Sequence, residues 1–186
     1  MNRRERRAAA TKTRSKVQRT EMVPLDKLHI DPDQARLVCE TYPKKLRLLV
    51  AEMSGQGATE FHALAMLVCA AGDVAWDQGG EPGCFEQAAA LIMAATAKTM
   101  GLPWPQRSPR ADWPEPADRN CDHLIRLREF VAEMRGLMGP LDAFDTLMAH
   151  AADIALTLNF PPSRLEAIGR EHMALLAQSA VNESSN

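Results

Sequence analysis

Six stretches of helical periodicity, all but the last closed by a Gly or Pro stop, constrain this chain more than anything else in it. Asp31-Pro32-Asp33-Gln34 is a helix start. Asp31 caps, Pro32 suits the first helical position, and Gln34 reaches back. That helix runs through Val38 and meets Pro43, which breaks or restarts it. Leu46, Leu49, Val50 and Met53 continue at helical spacing until Ser54-Gly55-Gln56-Gly57 stops the run. Thr59 caps a helix over 60–78 that is apolar around most of its circumference. Its one narrow polar stripe is His62, Met66, Asp73 and Asp77. Residues 84–100 repeat the pattern with many alanines. These two helices are expected at the centre of a bundle.

The second half reads the same way. Asp118 opens an amphipathic helix with Cys121, Leu124, Ile125, Leu127, Val131, Met134 and Met138 on its buried side. Asp122 and Arg126 form an i,i+4 pair outside. Gly139-Pro140 turns the chain into a helix with Leu141, Phe144, Leu147, Met148, Ala151, Ile154, Ala155 and Leu158 along one stripe. Pro161-Pro162 ends it, and Ser163-Arg164-Leu165-Glu166 is a capping box for a last helix reaching about Val181. Between the halves, residues 101–117 hold five prolines and two tryptophans. A regular helix is excluded there, and an extended connector with Trp104 and Trp113 packed down is expected. The fold class is therefore all-α: a helical bundle of about six helices, spanning 20–182, with a frayed tail at 183–186. Ala and Met favour helix, β-branched residues are few, and the core is aliphatic, since the chain has only nine aromatics.

Charge divides the chain differently. Residues 1–19 carry eight basic groups (Arg3, Arg4, Arg6, Arg7, Lys12, Arg14, Lys16 and Arg19) against the single acid Glu5. The remaining 167 residues carry 14 basic and 23 acidic groups, so the formal net charge of −2 conceals a basic leader and an acidic body. Apart from Met1, Val17 is the leader's one apolar residue larger than alanine, too little to repay the entropy of ordering, so a disordered arm is expected. Such an arm neutralises phosphates or carboxylates electrostatically. Without aromatics it does not stack on bases. Its expected partner is nucleic acid or an acidic protein surface. A solubilising tail or one docked on its own acidic body is the plainer alternative.

Chemistry-bearing motifs are sparse. There is no GxSxG, no Gly-rich phosphate loop and no CxxC, so neither a catalytic residue nor a cofactor is assigned. The four cysteines are widely spaced; three of them lie within apolar helical patterns, where a free cysteine reads as a small buried hydrophobe, and a reducing compartment is the simpler expectation. His172 falls on the apolar face of the last helix, and His150 borders the stripe of its own, with Asp153 three residues on. His150, Asp153 and His172 are the candidates for a metal or a general base, although a helical metal centre wants more carboxylates. A core histidine satisfied by a backbone carbonyl is the commoner arrangement. The longest apolar runs, nine and eight residues, are too short to span a bilayer. Cytoplasmic residence is the default expectation.

Residues 23–36 (VPLDKLHIDPDQAR) resemble the opening of ParB-type partition proteins, in which a similar strand and turn lead into a helix. That family's arginine-rich nucleotide-binding box has no counterpart here, and helix follows where its sheet would continue, so the resemblance assigns no function or residue. Three readings stand: a non-catalytic interaction or adaptor protein acting through its arm, a helical enzyme or metal-binding bundle, and a structural subunit of a larger assembly. Self-association into a homo-oligomer is compatible with the first and third.

Overall fold

Pro43 shows how the sequence shapes the first helix. Lacking an N–H, proline cannot continue the i→i−4 ladder, and the chain meets it with a widened turn. In a computed structural model that describes residues 33, 36–105 and 122–184, Leu37–Thr41 is a π-helical turn closed by the Tyr42 N–H on the Leu37 carbonyl. It runs straight into α1, Tyr42–Gly55, with Pro43 in its first turn. Then follow α2 (Glu60–Asp77), α3 (Cys84–Met100), α4 (Asp122–Met138), α5 (Pro140–Thr157) and α6 (Pro162–Ser184). No strand occurs among the described residues. The arm at 1–19, residues 20–32, 34 and 35 with most of the Asp31–Gln34 helix start, most of the proline-rich connector with Trp113, and the expected helix opening from Asp118 to Cys121 lie outside them.

Helix ends follow local chemistry. Thr59 caps α2: its Oγ1 accepts the His62 N–H at 3.2 Å, and His62 Nδ1 receives the Thr59 N–H at 3.4 Å. Histidine here replaces the glutamate of the usual capping box. Four helices close with an i→i−5 bond after a left-handed residue: Ala58 to Met53, Gly80 to Ala75, Leu102 to Ala97 and Phe160 to Ala155. The left-handed position is glycine in three of them, but at the end of α5 it is Asn159 (φ 58°), the side chain that best tolerates that region.

The core is built on α2 and α5. Every residue of α2 from Ala63 to Gly72 is buried, which is what its all-round hydrophobicity demands. It packs most extensively against α5 and also against α6. The expectation that 84–100 is the second central helix is not met. α3 buries only Phe85, Ala89, Met93 and Ala97, a single i,i+4 stripe, and Leu91 is 70% exposed. The place belongs to α5, where eight residues are buried. Alanine counts as apolar in a periodicity argument but is small enough to face water at little cost, which explains the misreading. Met66, placed by the pattern on the polar stripe, is buried as well.

Charge pairs fasten α4 along its edges. Arg126 Nη2 meets Glu52 Oε1 at 2.9 Å rather than pairing with Asp122, because the α1 carboxylate lies across the groove. Arg128 reaches Asp73, Arg135 reaches Asp77, both at 2.6 Å, and Glu133 takes Lys45 at 3.4 Å. The only tyrosine in the chain, Tyr42, is buried against Phe130, and its hydroxyl donates to Glu133 Oε1. Two further local readings change. Helix α6 begins at Pro162, so Ser163 already lies inside it, and Glu166 pairs with Arg170. Trp104 is 45% exposed, whereas its neighbour Pro105 is buried.

Candidate functional site

The interior charge cluster forms where α2, α4 and α6 meet. Asp73 sits on the narrow polar stripe of α2, one residue beyond Gly72. His172 of α6 lies with its ring against Gly72 and is 2% exposed. A Cβ at position 72 would stand 2.7 Å from His172 Cδ2, so the missing side chain is what lets the ring in. His172 Nε2 donates to Asp73 Oδ1 at 2.7 Å, and Arg128 Nε donates to Asp73 Oδ2 at 2.6 Å. Burial by itself would raise the Asp73 carboxyl, but the hydrogen bonds from His172 and Arg128 outweigh it and hold it below the usual carboxylate range. The proton on Nε2 leaves Nδ1 of a neutral ring as a buried acceptor with no hydrogen-bond partner.

His150 lies on another side of the bundle. Its Nδ1 is 3.1 Å from the Thr146 carbonyl and its Nε2 is 3.1 Å from the Pro43 carbonyl. A neutral imidazole has one N–H, so only one of these carbonyls receives a hydrogen bond at a time. Burial, aided by Arg47, pushes the ring below the ordinary histidine value, against the pull of the two carbonyls and of Asp153. His150 therefore cross-links α5 to the first turn of α1 as a neutral side chain at pH 7.

The structure does not gather the candidate ligands. His172 is committed to Asp73, while His150 faces backbone carbonyls. Among the described residues no group of three or more His, Cys, Asp or Glu is placed to hold a metal ion. The basic residues Arg3 to Arg19 lie outside the described residues. Of the cysteines, Cys69 is buried and Cys84 is exposed, and neither forms a disulfide.

His150 and Asp153 do line a groove of about 520 Å³ between the π turn and start of α1, α3 and α5. Its surface is predominantly apolar, with Asp142, Asp145 and Asp153 along the α5 wall and Arg47 opposite. Burial, then the neighbouring Asp142, raises the Asp145 carboxyl. Sequence reading missed this groove, Arg128 and Gly72. The signal for Gly72 was available: an isolated glycine inside an otherwise apolar helix marks a close approach. No helix among the described residues is long and apolar enough to cross a membrane. Comparison with known proteins finds no matching family model, no matching curated protein and no matching solved structure.

Proposed function

We propose that this chain is a non-catalytic helical interaction protein, an adaptor whose basic N-terminal arm contacts nucleic acid or an acidic protein surface. One observation carries this reading. Five cations of the helical body are already paired within it: Lys45, Arg126, Arg128, Arg135 and Arg170 each lie at ion-pair distance from a carboxylate of the body. The surplus positive charge of the chain is concentrated in residues 1–19, ahead of a body with an excess of acids. Arg and Lys on a leader poor in apolar residues suit a polyanion whose charge is dense and whose sequence is not read.

The test compares the full-length chain with a version beginning at Thr20, against duplex DNA and against polyglutamate at matched charge. Eight phosphate contacts would give a log–log salt slope of about −7, and partial engagement a shallower one. Steep salt dependence that disappears with residues 2–19 is expected. Equal binding by the two versions, or no binding to either polyanion at low salt, refutes the proposal. DNA-selective binding assigns the arm to nucleic acid, and equal binding to both assigns it to acidic surfaces in general.

A further inference from the structure

The groove between α3 and α5 combines apolar surface with one-sided charge. Val38, Ile92, Ala95, Met100 and Ala149 give it an aliphatic lining. The apolar surface continues beyond the cavity on both walls. Leu91 lies one turn before Ala95 on α3 and is 70% exposed, and Leu141 lies one turn before Asp145 on α5 and is 77% exposed. From Leu91 to Met100 the α3 wall runs ~14 Å, and from Leu141 to Asp153 the α5 wall runs ~18 Å, at 1.5 Å per residue. Three helical turns of length suit an extended occupant better than a compact small molecule. The charge of the walls fixes its sign: Asp142, Asp145 and Asp153 stand on α5 against the single cation Arg47.

We infer that this groove docks a basic amphipathic helix from a protein partner, its apolar face on the aliphatic lining and its lysines or arginines toward the α5 aspartates. An amphipathic helix in a groove is read by apolar anchors at i, i+3, i+4 and i+7, and flanking charge sets polarity and on-rate. The wall lengths accommodate two to three such turns. The groove is built from residues outside the N-terminal arm and has the opposite charge preference, so each proposal has its own test.

The probe is a fluorescent peptide of about 18 residues, enough for a stable amphipathic helix on a surface, with leucine on one face and lysine on the other. A leucine/glutamate peptide of the same pattern is the control. The full-length chain is expected to bind the lysine peptide, to ignore the glutamate peptide, and to bind more weakly as salt rises from about 0.1 to 0.5 M. Combined Asp142→Asn, Asp145→Asn and Asp153→Asn should lower affinity by about tenfold or more, and Leu141→Glu with Leu91→Glu should lower it further. The same charge change made outside the groove, as Glu86→Gln, Asp122→Asn and Glu171→Gln, should leave affinity within about twofold. Equal losses in the groove and control variants, or equal binding of both peptides, overturn the proposal. So does a tenfold gain on removing residues 2–19, which would give the groove to the chain's own leader. A dimer that the groove substitutions dissociate would give it to a second copy and equally overturn the proposal. Circular dichroism of each variant, unchanged from the parent, keeps a folding defect from mimicking lost binding.

Discussion

Replacing Gly72 by alanine sets two physical effects against each other, and the structure decides which wins. In a helix interior, alanine is ordinarily favoured over glycine by about 0.5–1 kcal/mol. Here the new Cβ would stand 2.7 Å from His172 Cδ2 and 3.6 Å from its Cγ. Carbon atoms in contact prefer roughly 3.5–4.0 Å, so something must move by about 1 Å. The ring cannot swing away freely, since it is buried and held to Asp73 by a 2.7 Å hydrogen bond. Overpacking of this kind costs about 1–3 kcal/mol. The expected net effect is a loss of about 1–2 kcal/mol, or a fall in Tm of about 2–8 °C for a chain of this length. Urea unfolding followed by helical circular dichroism at pH 7 measures it. The decisive comparison repeats the substitution in a His172→Ala background, where the obstructing ring is gone. There Gly72→Ala should become stabilising by about 0.5–1 kcal/mol, a reversal of sign. Stabilisation of the parent chain by Gly72→Ala, or the same shift in both backgrounds, would refute the account of Gly72 as the seat of the ring.

Gly169→Ala should be more damaging, by about 3 kcal/mol, because its Cβ would lie 2.5 Å from Cδ1 and Cγ of the buried Phe85 ring; thermal denaturation reads this, and Phe85→Leu in the same chain should recover part of the loss. Asp73→Asn should cost about 1–2 kcal/mol at pH 7, below the figure for a fully buried pair because Arg128 is more than a third exposed. The Asp73 carboxyl lies below its ordinary value of 3.8, so its stabilisation is complete above that value and is lost as pH falls through the folded one. Parent and variant stabilities should therefore draw together as pH falls below 3.8, and a gap that does not narrow with acidification would contradict this. Thr59→Ala should cost about 1 kcal/mol through loss of the α2 cap, seen as a lower urea midpoint with an unchanged slope.

Much of the architecture was legible because it depends on neighbours in sequence. The Thr59 cap, Pro140 at the start of α5 and the all-round apolar character of α2 are each dictated within a few residues. The errors share a different cause. The alanines of α3 carry too little area to declare which side is buried, so its peripheral position needed the other helices to be known. Arg126 had a plausible partner in Asp122 four residues away, yet Glu52, 74 residues distant in sequence, holds it. The interior cluster was half visible: His172 on an apolar face and Asp73 on a narrow polar stripe were both distinguishable. Nothing in their spacing, 99 residues apart, joins them. The groove was invisible for the same reason, since its walls come from three separate segments.

The fastening of α4 has a consequence for how this molecule comes apart. The inner helices are joined by aliphatic contact, which salt does not weaken, whereas α4 is also riveted along its rim by the carboxylates of Glu52, Asp73, Asp77 and Glu133. Those rivets loosen when ionic strength rises. Amide protons of α4 should then exchange with solvent well before those of α2 and α5, making this helix a detachable leaf on a more durable stem.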